Sequence, residues 1–326
     1  SGNENSSSVI TFFKDSVVSD INFTDPTPAN GSSQAADAIY VNYSVTETND
    51  HYSFIDFDDS VVLWMRMDEV NSSGDPYDNS SYGNDGVAVG GAAQNDSGRF
   101  GKGFSFDGVG DYIDVGTVGA GNYSQVSISF WIRGYTYSAI EYGIYEEIIN
   151  SGNFLKIGRP AWQRGISVNR KTLYGDNIVV YSASVDDSDW HLITYTSANA
   201  TDHKVYTDGV LSNTSVTSAT TFALQSGTIG YVGTLGYANN TIDEFIIFNR
   251  SLSAEEVEGL YNASSKNLYK NFTSVADGTH TMTAFAVDVS GNVNSTRKRT
   301  VTIDSSIPGS NSCGALSTAN TIYTMT

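Results

Sequence analysis

Along this chain apolar and polar residues alternate with a period of two, and helical periodicity is scarce. Gly, Asp and Asn punctuate the alternating runs, a pattern that predicts short β-strands joined by turns. In 39–45, Ile39, Val41, Tyr43 and Val45 share one face and Asn42 lies on the other. Further on, His280, Met282, Ala284 and Ala286 alternate against Thr281, Thr283, Phe285 and Val287; a Gly291-Asn292 turn and a strand at Arg299–Ile303 follow. One short helix is predicted after Leu252: Ser253 is its N-cap and Glu256, three residues on, completes a capping box. Near the N-terminus, Val9, Ile10, Thr11, Phe12 and Phe13 are apolar or β-branched on both faces, as in a strand covered on two sides.

Composition agrees with an all-β class: 31 Gly against 5 Pro, 39% hydrophobic residues and abundant Ser, Thr and Asn in 326 residues. Such a chain can bury a core. Seventeen Lys+Arg against 36 Asp+Glu leave a net charge of −19. That charge argues against nucleic acid and anionic membrane surfaces as partners, since both repel an acidic surface, and is compatible with cations. No run approaches the ~18 apolar residues of a membrane span. The chain opens at Ser1 without a charged-then-apolar leader, the look of a processed chain. The single cysteine, Cys313, has no internal disulfide partner and reads as incidental, a free thiol or an intermolecular link.

Asn-x-Ser/Thr tripeptides are over-represented. The 27 Asn and 73 Ser+Thr would give roughly six by chance. Fifteen occur, at Asn5, Asn22, Asn30, Asn42, Asn71, Asn79, Asn95, Asn122, Asn199, Asn213, Asn239, Asn249, Asn262, Asn271 and Asn294. The excess points to an extracellular or cell-surface protein bearing N-linked glycans.

Two domains and two tails are expected: an extended segment 1–20, a small sandwich split between 21–59 and 264–304, an inserted domain 60–263 and a tail 305–326. The turn Asp277-Gly278-Thr279-His280-Thr281-Met282 resembles the corner before the sixth strand of Ig-like and fibronectin-like sandwiches, with His280 where those usually have Tyr. The insertion opens on Ser60-Val61-Val62-Leu63-Trp64-Met65-Arg66-Met67-Asp68. It continues through Asp78–Gly86, Gly98-Arg99-Phe100-Gly101-Lys102-Gly103-Phe104-Ser105-Phe106-Asp107-Gly108, Asp111-Tyr112-Ile113, Val126–Arg133, Trp190–Tyr195 and Val205–Val210. It closes on Ile242-Asp243-Glu244-Phe245-Ile246-Ile247-Phe248. This ordered series resembles the laminin-G-like jelly roll of the concanavalin A-like lectin/glucanase superfamily. The expected fold is therefore all-β: a jelly-roll sandwich inserted into a smaller Ig-like sandwich, with extended terminal segments. The split arrangement and the acceptor density are similar to modular archaeal cell-surface proteins.

The resemblance implies a structural calcium ion held by Asp78, Asn84 and Asp243, with Asp85 nearby, since loop oxygens suit a hard cation. Asp78 and Asn84 as Asx-turn formers are the alternative. Catalysis is not expected. A glycosidase needs two carboxylates flanking one bond, roughly 5–10 Å apart. In a strand, Glu146 and Glu147 face opposite ways, and Glu141 and Glu147 stand ~20 Å apart. The four histidines show no metal spacing, and the Gly-rich stretch 227–236 lacks the helix of a phosphate loop. Trp131 and Trp162 are candidate sugar platforms, with Trp131 as a space-filler the alternative.

Two functions follow. One is a non-enzymatic structural subunit of an extracellular filament, a homopolymer in which Val9, Ile10, Phe12, Phe13 and Val17 complete a sister subunit's sheet by strand exchange; the same segment as the first strand of its own sandwich is the alternative. The other is a carbohydrate-binding module of a secreted adhesin, its partners glycans.

Overall fold

A computed structural model describes all of the chain except residues 1–16, 119–121, 135–139, 151–152, 162, 172–176, 218–221, 224–225, 264–267 and 308–326. Val9, Ile10, Phe12, Phe13, Asn5, Trp162 and Cys313 thus lie outside the described residues. The described chain is almost entirely strand, with one helix, Ala254–Tyr261. That helix carries the anticipated cap: Ser253 accepts from the Glu256 backbone N–H, and the Glu256 carboxylate accepts from the Ser253 N–H.

Four sheets dominate. Sheet I has three strands in the order Asp20–Thr24, Ala38–Thr46, Leu268–Thr273. Sheet II has five: Ser32–Gln34, Arg299–Ile303, Gly278–Asp288, Val293–Ser295 and His51–Phe57. Sheet III has eight, with Val126–Arg133 and Asn239–Phe248 at its centre and Val61–Met65 paired to the latter. Sheet IV has seven: Asn177–Tyr181, Ser167–Lys171, Asn153–Arg159, Tyr142–Asn150, Gly227–Ile229, Tyr112–Gly116 and Val87–Val89.

Three apolar cores separate these sheets. Between I and II, Ile21, Ile39, Val41 and Phe272 meet Ile55, Phe57, Met282, Ala284 and Val301. Between III and IV, Phe104, Ile128, Phe130, Phe245 and Ile247 meet Ile113, Ile144, Leu155, Val168 and Ile229. A third core lies between II and III, where Tyr52, Phe54 and Val287 meet Trp64, Trp131, Ile246 and Phe248. The central strands of sheets II and III are therefore buried on both faces. This explains why Val61-Val62-Leu63-Trp64-Met65 is apolar at every position: its side chains go alternately to two cores. It also gives Phe285 and Val287, on the second face of their strand, an apolar environment against sheet III.

The expected alternation at 39–45 holds: Ile39, Val41 and Tyr43 are buried and Asn42 is half-exposed. At the 277–282 corner, the His280 ring bridges Asp58 Oδ2, at 2.6 Å from Nδ1, and the Ala276 carbonyl, at 2.8 Å from Nε2. Burial works against its charge, but these two acceptors raise its pKa.

Candidate functional site

Asp78, Asn84 and Asp85 come together in one loop. Asp78 Oδ1 accepts from the N–H groups of Trp64 (2.8 Å) and Ser80 (2.9 Å), and Oδ2 from Asn84 N–H (2.8 Å) and the Ser80 hydroxyl (2.7 Å). Asp85 accepts from Asp78 N–H, and the Asn84 amide donates to the Val62 carbonyl. Four donors saturate the Asp78 carboxylate, so the loop is tied by hydrogen bonds. Asp243 is elsewhere: its Oδ2 accepts from Arg99 N–H (2.7 Å) and Phe100 N–H (2.9 Å). The four residues do not form an oxygen cage for a hard cation, and no cluster of metal-ligating side chains occurs among the described residues.

Asp243 belongs instead to an acidic group between sheets II and III. The register against Val126–Arg133 shifts between Ser129 and Trp131, and Glu244 has φ 48°. Strict alternation would put Asp243 and Glu244 on opposite faces; this bulge aims both at the space between the sandwiches. Glu244 Oε2 accepts from the Tyr52 hydroxyl (2.5 Å) and the Trp64 indole N–H (2.9 Å). Arg66 is the cation there, bound to Asp68 Oδ2 at 2.6 Å and to the Gly291 carbonyl. Burial pushes Glu244 up to about 8 and Asp68 up to about 6 despite Arg66, and raises Asp243 well above the usual carboxylate range with Glu244 adding to the effect. Asp243 and Glu244 are 0% and 2% exposed, so no polymer reaches them. The other carboxylate pair behaves as its strand predicts. Glu146 turns outward to Lys156 (2.9 Å), and Glu147 turns inward to the Tyr145 hydroxyl (2.6 Å).

A polar row lies on the outer face of sheet IV, exposed at Asp114 but with Glu146 buried at 3% exposure. Its registers align Asp114, Thr228, Glu146, Lys156, Asn169 and Val179 in one row across six strands. Beside this row folds the hairpin Tyr231–Val232, Gly236–Tyr237. Its Gly233 N–H donates to Glu146 Oε2 (2.7 Å), and Lys156 Nζ donates to Thr234 Oγ1 (3.2 Å). Gly143 lets the hairpin settle, because a Cβ there would collide with Val232 N and Gly236 O. The Gly-rich stretch 227–236 thus serves close approach of backbone to sheet. Tyr231 lies with its ring centroid 6.0 Å from Tyr112 and 4.7 Å from Tyr237, all three rings half-buried. Sequence reading missed this tyrosine group, because it pairs residues more than a hundred positions apart; the Tyr-Val-x-x-Leu-Gly-Tyr spacing was its one local trace.

Trp131 is not a sugar platform: it is 2% exposed, beside Phe100, Tyr261 and the Arg99 guanidinium. Val17, the one described residue of the expected contact segment, is 71% exposed. Of the fifteen acceptor asparagines, none whose side chain is described is buried.

Residues 107–258 match the laminin-G-type family model of the concanavalin A-like lectin/glucanases superfamily. No curated protein matches the chain in sequence. Among solved structures, it is similar to the binding domain of Paraclostridial mosquitocidal protein 1: 20% identity, TM-score 0.52, covering 64% of this chain and 53% of that one. It is also similar to the binding domain of botulinum neurotoxin DC, solved with rat synaptotagmin II: 20% identity, TM-score 0.52, covering 63% and 52%. A third likeness is to domain 4 of AbnA, a GH43 extracellular arabinanase from Geobacillus stearothermophilus, solved with arabinotriose: 16% identity, TM-score 0.52, covering 62% and 98%. The chain spans about half the length of the toxin binding domains it matches. At these identities the likeness is one of fold. No helix among the described residues is long and apolar enough to cross a membrane. The sandwich formed by sheets III and IV is a concanavalin A-like jelly roll of the laminin-G type.

Proposed function

We propose that this chain is a non-catalytic carbohydrate-binding module of an N-glycosylated extracellular surface protein. In this reading the jelly roll of 60–263 is carried as an insertion in an Ig-like sandwich of 21–59 and 264–304. The observation that supports it is the outward face of sheet IV, where Tyr112, Tyr231 and Tyr237 adjoin exposed Asp114 and half-buried Thr228, Lys156 and Asn169. Tyrosine rings stack on the apolar faces of sugar rings, while hydroxyl, carboxylate, ammonium and amide groups meet sugar hydroxyls as acceptors and donors. A few convergent polar groups beside an apolar surface are what a small-ligand site requires. Arabinotriose in the arabinanase domain makes neutral oligosaccharides the first class to test. Titration calorimetry against such oligosaccharides, guided by a glycan array, should find a ligand whose affinity falls at least tenfold in Tyr231→Ala. Binding that survives both Tyr231→Ala and Tyr112→Ala, or no sugar bound at all, overturns the reading.

A second reading, a structural subunit of a filament joined by strand exchange between copies, is favoured by a different observation. Sheet I ends in two strands, Asp20–Thr24 and Leu268–Thr273, that no described strand pairs on their outer sides. Such edges accept extended segments. Electron microscopy of the purified chain tests it, with regular polymers expected.

A further inference from the structure

We infer that the outer edge of strand Leu268–Thr273 is the acceptor for residues Val9–Phe13 of a second copy of this chain. The inference rests on the filament reading above and names its contact.

A cleft of about 590 Å³ runs beside this edge. One wall is the strand's end and the turn after it, from Lys270 through Ala276, with His280 beyond; the other comes from the jelly roll, at Gln125, Ala198, Lys204 and Arg250–Ser253. Phe57, Phe272 and Leu252 line it too. Phe57 and Phe272 stack at 3.9 Å between centroids, and they stand where the strands His51–Phe57 and Leu268–Thr273 border the same side of the I/II sandwich. The helix Ala254–Tyr261 closes the other half of that side, its Gly259 near Leu268 and Ser53. Beyond the helix the side is open. An extended segment laid there gains main-chain hydrogen bonds from the unpaired edge and places alternate side chains over the rims of Phe57, Phe272 and Leu252, which the cleft leaves 9%, 9% and 4% exposed.

Residues 9–13, Val-Ile-Thr-Phe-Phe, have the composition for this place, apolar or β-branched on both faces within an otherwise polar N-terminal stretch. Five extended residues span ~16 Å, enough to run along the edge Lys270–Thr273 and on past the turn at Ser274. The direction of the chain favours a sister copy. Residues 17–19 enter the strand Asp20–Thr24, which lies on the opposite edge of sheet I, with Ala38–Thr46 between it and the acceptor strand. An edge on one side and a donor leaving from the other make a head-to-tail contact that propagates.

The test uses the 326-residue chain with Cys313→Ser, so that each introduced cysteine is the single thiol. One preparation carries Phe12→Cys; the other carries Ala276→Cys, or Ser274→Cys, in the exposed wall of the cleft. After mixing and oxidation, mixed dimers should exceed by at least tenfold those formed with Asp20→Cys on the opposite edge. Electron microscopy of the unoxidised chain is run in parallel. Polymers without the preferred cross-link overturn this acceptor assignment while leaving strand exchange standing. Absence of both polymers and cross-link overturns the filament reading with it. A chain carrying Phe12→Cys and Ala276→Cys together that closes only on itself assigns the cleft to its own N-terminus and overturns the sister-copy proposal.

Discussion

Two polar groupings on the same jelly roll contrast sharply. Asp243, Glu244 and Asp68 lie between sheets II and III with Arg66 as their cation, and burial raises all three carboxyl pKa values. On the outer face of sheet IV, Asp114 is exposed and Thr228 and Asn169 are half-buried in one row with half-exposed tyrosine rings nearby, while Glu146, paired to Lys156 at 2.9 Å, is buried at the row's centre. The first grouping joins the two sandwiches: Tyr52 and Gly291 come from one, Trp64, Arg66 and Glu244 from the other. The second contacts only its own domain and faces out. Buried charge between the sandwiches is architecture and is sensitive to protons, whereas on sheet IV the half-buried tyrosines and exposed Asp114 are the groups that the sugar-binding reading puts against a ligand.

The largest effect expected is from Arg66→Ala, which strands the buried carboxylates without their cation. Breaking such a group costs ~3–5 kcal/mol. Chemical denaturation should show that loss, and a change under ~1 kcal/mol would mean the acids are neutral without Arg66.

Next comes pH. Glu244 has an ordinary value of 4.5 and about 8 in the folded chain. The folded state then holds more protons than the unfolded state between those values, so stability falls as pH rises from about 4.5 to 8. Asp68, raised from 3.8 to about 6, acts in the same direction, losing stability from about 4 to 6. His280, raised by Asp58 and Ala276, contributes stability that is present below its unfolded value of 6.5 and lost as pH rises through its folded one. Melting temperature should therefore drop between pH 5 and 8, and Glu244→Gln should flatten that drop. A wild-type profile that rises over this interval contradicts the burial argument.

On the exposed side, Tyr231→Ala should weaken sugar binding tenfold, about 1.4 kcal/mol, with its effect confined to the ligand rather than to the pH profile. Calorimetry and melting curves on the same variant separate the two. Smaller is Ser253→Ala at the helix cap, costing ~1 kcal/mol, or roughly 2–4 °C in a domain of this size. Least is calcium. With Asp78 saturated by N–H and O–H donors, millimolar calcium or a chelator should shift melting by less than about 1 °C, whereas a bound ion would stabilise in proportion to the logarithm of its concentration.

Strand alternation, turn residues and the capping box are local, and they foretold the all-β class, the helix after Ser253 and the opposite facing of Glu146 and Glu147, whereas the jelly roll was expected from the resemblance of an ordered motif series to a known superfamily. The local features follow from backbone geometry acting over a few residues. Three features escaped that logic. The bulge at Glu244 breaks the period of two, so Asp243, proposed by resemblance for a cation, ended against the Arg99 and Phe100 amides. Trp131 lies on the far face from Ile128 and Phe130 as alternation requires, but its strand does not reveal that a second sandwich covers that face. The tyrosine group on sheet IV and the cleft beside Leu268–Thr273 assemble from distant segments, and no short window of residues contains them. A strand encodes which side chains share a face; what lies opposite that face is set when whole layers pack.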